Sequence, residues 1–333
     1  MPVDLREIDP QNEPLVRRHW EIGKAAEDAH RPYDFHQPWK AAWITYSSGR
    51  EDTDVVLLGA FEGDRMWGAA RINHPLYDNT HLTYAEFFVH PDRQRRGVGR
   101  SLVEAGYEIV RRNGRRVMVV ECYSHPTADS AGLLFARALG STEALEEGIK
   151  VVDLPATEEL WPELAAQAAA HHQDYEIITW HGATPPEYVE GYCRMNEDFN
   201  AEAPLGGLDI ERERWNDERL RAREERARRA GRQHVTTVAV AGDGAVVGFT
   251  GIFISVHAPE RACQFGTLVV PEHRGHRLGL AMKVENQRAV RDRFPECKVL
   301  MTGNASVNAP MNAVNDRLGV QVIERCVEVQ KDI

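Results

Sequence analysis

Apolar and polar positions along the chain alternate between a period of two and a period near 3.6, and the alternation runs through the same order twice. The first half predicts a strand over Val3–Ile8, a helix over Glu13–His30 and a second helix over Trp39–Ser48. Between those helices lies His30-Arg-Pro-Tyr-Asp-Phe-His-Gln-Pro38, rich in polar, aromatic and proline residues and predicted to be irregular. Strands over Val55–Phe61 and Met66–Ile72 flank Glu62-Gly-Asp-Arg65, a hairpin signature, and a strand over Thr83–Val89 completes a meander. A helix over Arg100–Asn113, an apolar strand over Arg115–Cys122, a helix over Ser124–Leu139 and a closing strand over Gly148–Asp153 follow. The run 157–172 is Ala-rich with helical spacing and reads as a connector. The second half repeats the order with strands over Tyr175–Trp180, Val235–Val240, Ala245–Phe253, Cys263–Val270 and Lys298–Thr302, and with a helix over Pro185–Met195. It adds a broken acidic piece over Asn196–Gly207 and an Arg/Glu-dense solvated helix over Ile210–Arg229, which i,i+4 pairs would support.

The repeat is anchored by two glycine-bearing segments, each following a strand and opening a helix: Val89-His-Pro-Asp-Arg-Gln-Arg-Arg-Gly-Val-Gly-Arg-Ser101 and Val269-Val-Pro-Glu-His-Arg-Gly-His-Arg-Leu-Gly-Leu-Ala281. Pro91 and Pro271, Gly99 and Gly279, and Gly68 and Gly248 all stand 180 residues apart, and Leu139-Gly140 nearly matches Leu318-Gly319. A period this long marks a duplicated domain, since solenoid repeats run about 20–50 residues. In each segment successive backbone N–H groups meet at a helix N-terminus, where unpaired donors and the helix dipole favour an anion such as a pyrophosphate. A Cβ at Gly97 or Gly99 would hold phosphate oxygens off the backbone.

The Gln/Arg-x-x-Gly-x-Gly pattern after a strand and before a helix resembles the acyl-CoA loop of the GNAT superfamily of N-acetyltransferases. The resemblance spans nearly the whole chain as two tandem copies, an arrangement similar to mycothiol synthase-like acetyltransferases of actinomycetes. It implies an α/β (α+β) fold of two GNAT-like domains, each a mixed, mostly antiparallel sheet flanked by helices. The expected division is a domain over 1–155, a helical connector over 156–173 and a domain over 174–333. It implies acetyl-CoA held by Phe88, Val89, Gln94, Arg95, Arg96, Gly97, Val98, Gly99, Arg100 and Ser101 in the first copy. In the second copy the corresponding residues are Leu268, Val269, Val270, Arg274, Gly275, His276, Arg277, Leu278, Gly279 and Leu280. In tandem members Asn side chains reach the pantetheine arm, which makes Asn304, Asn308 and Asn315 candidates, with ligand contact favoured for Asn308 and capping for Asn304.

A primary ammonium has no lone pair, so a base must take its proton before attack on the thioester. In the family that base is often a Glu on the strand before the loop, which makes Glu86 the catalytic candidate. Gly266 is in step with Glu86 in the second copy, which leaves Glu197 or Asp198 as the only substitutes there. The family's tyrosine acid is replaced by Ala136 and Asn315, so the acid is missing, or is Tyr123 or His125 from the preceding loop, or is solvent. The resemblance places the acceptor near His30, Tyr33, Asp34 and His36. The expected active copy is the N-terminal one. An acyl-CoA-binding protein without transfer, or mycothiol synthesis itself, are alternatives the sequence leaves open.

Composition changes this picture only at its edges. A net charge of −11 disfavours a nucleic-acid partner and favours attraction of a cationic amine. No apolar run approaches a membrane span and the start has no signal-peptide core, so a cytoplasmic protein is expected. The five Cys are scattered, giving no disulfide frame and no metal site. Only six of the 40 basic residues are Lys, in keeping with a GC-rich actinomycete source. A monomer is expected because tandem copies can pack as a dimer would.

Overall fold

The computed structural model describes residues 3–33 and 35–333. In chain order the elements are β1 Asp4–Ile8, α1 Glu13–Asp28, α2 Trp39–Ser47, β2 Thr53–Glu62, β3 Arg65–Pro75, β4 Leu82–Val89, α3 Val98–Arg112, β5 Val117–Ser124 and α4 Ala131–Ala138. They continue with β6 Thr142–Asp153, α5 Leu154–Thr157, α6 Trp161–Ala169, β7 Tyr175–His181, α7 Val189–Glu202, α8 Asp217–Arg229 and β8 Arg232–Ala241. The last are β9 Val246–Ser255, β10 Ala258–Val269, α9 Leu278–Arg293, β11 Val299–Ala305, α10 Ala309–Arg317 and β12 Gln321–Asp332.

Neither of the two structural units is one contiguous stretch. Unit 1 comprises 1–146, 205–211 and 324–333; unit 2 comprises 147–204 and 212–323. In unit 1 the strands run β1-β2-β3-β4-β5-β12, antiparallel except for β4–β5. The final strand belongs here because Arg325–Asp332 pairs along the length of β5. In unit 2 the order is β7-β8-β9-β10-β11-β6, again with one parallel pair, β10–β11. The expected mixed, mostly antiparallel architecture is what both units show.

One face of the unit 1 sheet packs Ala70, Ile72, Ala85 and Met118 against Val98, Leu102 and Ile109 of α3. Gly68 lets that helix sit close: a Cβ there would come within 2.7 Å of Leu102 Cδ1 and 2.8 Å of Val98 Cγ1. The opposite face packs Leu57, Phe61, Met66, Ala69 and Phe88 against Val16 and Ile22 of α1 and the aromatic side of α2. Unit 2 divides likewise, with α9 on one face against Ile252, Ile254 and Ala262, and α7 and α8 against Val238, Phe249 and Leu268 on the other.

Several predicted boundaries shift for local reasons. The helix expected over Ser124–Leu139 is only Ala131–Ala138, because β5 runs on to Ser124 and Ser130 caps the later start by accepting from Leu133 N. The piece expected to break after Met195 stays helical to Glu202, where the chain turns extended at Ala203 before Pro204. The helix expected from Ile210 begins at Asp217, with Asn216 as its cap. The residues before it do other work: Leu208 packs on Leu82, Val117 and Val119 of unit 1, and Gly207 N donates to Ala144 O at 2.7 Å. No helix among the described residues is long and apolar enough to cross a membrane.

Candidate functional site

Both glycine-bearing loops leave a helix N-terminus without a side-chain cap. α3 and α9 have no side-chain cap bond, a state shared by α2, α6 and α7, whereas α1, α4, α8 and α10 are each capped by an Asn or Ser. The first N–H groups of α3 and α9 thus face outward as donors. Each loop turns through two left-handed residues, and the glycine has changed places between them. Arg95 (φ 60°) and Gly97 (φ 88°) make the turn in unit 1; Gly275 (φ 89°) and Arg277 (φ 55°) make it in unit 2. The sequence offset registers only the loss of Gly97, while the structure shows the turn conserved by exchange.

The side chains around the two loops differ. Arg95, Arg96 and Arg100 are exposed in unit 1, and among the described residues neither Arg95 nor Arg96 has an acidic partner. Gln94 Nε2 lies 3.2 Å from His30 Nε2, which brings one expected acceptor residue to the acyl loop. In unit 2 Arg274 pairs with Glu202 at 2.7 Å, Arg277 donates to Gln167 O at 3.2 Å and His276 Nδ1 lies 3.2 Å from His171 O. Val98, Leu268, Leu278 and Leu280 are buried, so at these positions only backbone can meet a ligand.

The parallel strands β4 and β5 pair only through Leu82–Val117, Thr83–Met118 and Tyr84–Val119, then part. Two steps beyond the last pair stand Glu86 and Glu121, which by strand parity share one face of the sheet, the face covered by α1 and α2. Arg71, directly across from Glu86 on β3, donates from Nη2 to Glu86 Oε1 at 2.5 Å, with Tyr46 of α2 close to its guanidinium. Tyr123, two residues further on the same face, donates its hydroxyl to Glu121 Oε2 at 2.5 Å. Glu121 keeps contact with solvent at this opening, yet desolvation by the protein packed around its carboxyl, with the Glu86 charge adding to it, holds that carboxyl above the usual carboxylate range against the lowering effect of the Tyr123 bond. Burial first, then the Glu121 charge, raises the Tyr123 phenol well above its ordinary value.

Arg31 closes the end of this row. Its guanidinium stacks over the Tyr123 ring at 3.7 Å and holds the buried Glu324 of β12 through Nε and Nη2. Glu27 reaches His36 Nδ1 at 3.3 Å, and the His36 ring packs against Phe88. Tyr33 stacks on Phe35 at the surface, and Asp34 lies outside the described residues. His125 turns away into the next loop, where its Nδ1 meets Thr127 Oγ1 at 3.0 Å. Arg31, Tyr46, Arg71, Glu121 and Glu324 were missed by sequence reasoning. Parity along Val117–Ser124 could have flagged Glu121 and Tyr123 together.

Unit 2 lacks this row. A bulge between Phe265 and Thr267 makes Gly266 an extra residue, so the register puts Phe265, not Gly266, at the place of Glu86. Phe265 faces Gly251, where unit 1 has Arg71, and Gly303 stands two steps past the Cys263–Met301 pair, where unit 1 has Glu121. The expected substitutes are committed elsewhere, Asp198 to Arg212 at 2.5 Å and Glu197 to Trp215 N at 2.9 Å. Asn308 caps α10 by accepting from Met311 N, and Asn304, expected to cap, accepts from Asn315 instead. On the α9 face, Lys283 is fully buried and donates to Gln264 Oε1 and Asn315 Oδ1, both at 2.9 Å. Burial, with Lys150 nearby, lowers its pKa to about 7. Among the described residues no group of three or more His, Cys, Asp or Glu could hold a metal.

Comparison with known proteins agrees with this geometry. Residues 17–140 match the model of the acetyltransferase (GNAT) family. A tandem GNAT protein from the clavulanic acid biosynthesis pathway superposes with a TM-score of 0.81 at 24% identity, over 99% of this chain and 98% of that one. A GCN5-related N-acetyltransferase from Sphaerobacter thermophilus gives a TM-score of 0.65 at 16% identity, over 99% of this chain and 95% of that one. At these identities the likenesses speak for the fold. Comparison with curated proteins found no match.

Proposed function

We propose that the chain is an acetyl-CoA-dependent acyltransferase of the GNAT family, whose model matches residues 17–140, and that it moves the acetyl group to the primary amine of a small molecule, with the chemistry in unit 1. The observation that carries this reading is the row Arg71–Glu86 and Glu121–Tyr123 on one sheet face at the parting of β4 and β5, against Gly251, Phe265 and Gly303 in unit 2.

In this reading the uncapped N–H groups of α3 hold the pyrophosphate, with Arg95 and Arg96 neutralising its charge. Binding there would direct the acyl arm toward the parting of β4 and β5. The acceptor enters from the α1–α2 side as an ammonium, drawn by the carboxylates. Glu86, steered by Arg71, takes the ammonium proton and frees the lone pair for attack on the thioester carbonyl. Tyr123 stands on the same face as the candidate donor to the departing sulfur. Unit 2 keeps an anion-binding turn without carboxylates beside it, so its role is binding or structure. This reading also keeps the division into two tandem domains, with each copy's closing strand paired in the other unit.

Calorimetric titration with acetyl-CoA, beside Gly99→Asp and Gly279→Asp, tests it. Binding that Gly99→Asp removes supports the unit 1 site. An absence of binding in the unaltered protein would end the transferase reading.

A further inference from the structure

Acetyl transfer from a thioester to an ammonium displaces two protons, and Glu86 accounts for only the first. The second leaves nitrogen after attack, while the departing thiolate needs a proton. We propose that Glu121 and Tyr123 form a relay that carries this second proton from the substrate nitrogen to the CoA sulfur. The proposal rests on the unit 1 reading above and names a catalytic residue that reading does not use.

The geometry supports each part. Glu121 is exposed at the opening, on the same face as Glu86 and equally far past the last β4–β5 pair, so the two carboxylates flank the place where a nitrogen and a thioester would meet. Tyr123 is already joined to Glu121 at 2.5 Å, and the Arg31 stack held by Glu324 fixes the phenol ring. The groups facing Glu121 are Glu86 and Arg71 from β4 and β3, Arg31 after α1, Tyr123 on its own strand and Glu328, opposite it in the β12 register. Unit 2 has neither member of the relay, with Gly303 and Ala305 at the equivalent places.

The step balances. Attack forms the N–C bond and a tetrahedral oxyanion whose nitrogen is still positively charged. Glu121 takes that nitrogen's proton and becomes a neutral acid, which releases the Tyr123 hydroxyl from its hydrogen bond. Collapse of the adduct breaks the C–S bond; Tyr123 gives its proton to the thiolate and regains one from Glu121. The products are the amide and CoA thiol, with both side chains restored.

The test measures kcat for CoA release with an amine that the unaltered protein acetylates, and acetyl-CoA affinity by calorimetry, for Glu121→Gln, Tyr123→Phe and the double variant. General acid–base catalysis contributes about 10²–10⁴-fold, so each single variant should lose about a hundredfold in kcat or more with unchanged acetyl-CoA affinity. The double should be no slower than the slower single, because one relay is broken once. Glu121→Asp, which keeps the acid, should recover much of the rate. Full kcat in Glu121→Gln, or losses that multiply in the double, would overturn the relay while leaving the unit 1 assignment standing. A protein that acetylates no amine would overturn both. Should Glu121→Gln lose acetyl-CoA binding, the solvent deuterium effect on kcat decides. An effect that Tyr123→Phe abolishes upholds the relay, and one that it leaves intact overturns it.

Discussion

Gly97 and Gly99 stand two residues apart in the same loop, yet the structure gives them separate duties that substitution by alanine should separate. Gly97 is the N-cap of α3 at φ 88°, and an added Cβ would meet no atom within 4 Å. The effect of Gly97→Ala on stability is therefore backbone strain in the left-handed region, about 1–2 kcal/mol. For a unit of this size that lowers Tm by about 2–4 °C per kcal/mol. Gly99 lies in the first turn of α3, outside the left-handed region, and its Cβ would sit 3.4 Å from Val89 Cγ2 and 3.9 Å from Phe135 Cε1, which is ordinary contact. Alanine favours a helix over glycine by up to about 1 kcal/mol, so Gly99→Ala should leave Tm unchanged or raise it. Its penalty should fall on the ligand, since residue 99 lies in the uncapped first turn of α3, whose N–H groups would cradle the pyrophosphate. A tenfold weaker Kd for acetyl-CoA corresponds to about 1.4 kcal/mol. Scanning calorimetry and titration calorimetry on both variants decide the matter. The reasoning fails if Gly99→Ala melts as early as Gly97→Ala, or if it binds acetyl-CoA as tightly as the unaltered protein.

Other outcomes follow from the same structure. Glu324→Ala removes the carboxylate that Arg31 holds through Nε and Nη2, leaving it only Glu27 at 3.8 Å, and should destabilise unit 1 by up to about 3–5 kcal/mol in urea unfolding. Lys283, with its pKa lowered to about 7 in the fold, binds fewer protons than the unfolded chain between pH 7 and its ordinary value, so unit 2 should gain stability as pH rises through that window. The gain should approach an upper limit of about 1.4 kcal/mol per pH unit and vanish in Lys283→Met. His19 is buried, with Nε2 2.9 Å from Ala70 O and its pKa lowered to about 4, chiefly by desolvation. Its contribution is complete above its ordinary value of 6.5 and is lost as pH falls through 4, an acid-side loss that His19→Gln should reduce. Gly68→Val should dislodge α3 from β3 and abolish acetyl-CoA binding, read by circular dichroism beside titration.

The fold was legible because its signals are local. A hairpin at Glu62–Arg65, an apolar strand at Val117, and glycines kept in step over 180 residues each follow from a few neighbouring residues. Less visible was anything set by register or by the return of distant chain. The bulge at Gly266 moves Phe265 into the Glu86 place, and nothing in the spacing of that strand announces it. Glu324 reaches Arg31 from 293 positions away, and Leu208 lies between a broken acidic piece and an Arg/Glu-dense run, where nothing local marks it for a core. The loop was found, but its logic was not, since an arginine in left-handed backbone at position 277 looks in sequence like a lost glycine. The cap of α10 has the same origin: Asn304 and Asn308 are four residues apart in sequence, and only the fold shows that Asn308 meets the orphan N–H while Asn304 stays in β11.

The most direct test of the central claim is the rate of amine-dependent CoA release from Gly99→Asp and Gly279→Asp over a panel of small primary amines. If unit 1 carries the chemistry, turnover disappears in Gly99→Asp and persists within severalfold of the unaltered rate in Gly279→Asp. Turnover that survives Gly99→Asp and is lost in Gly279→Asp would place the reaction in unit 2 and contradict the account.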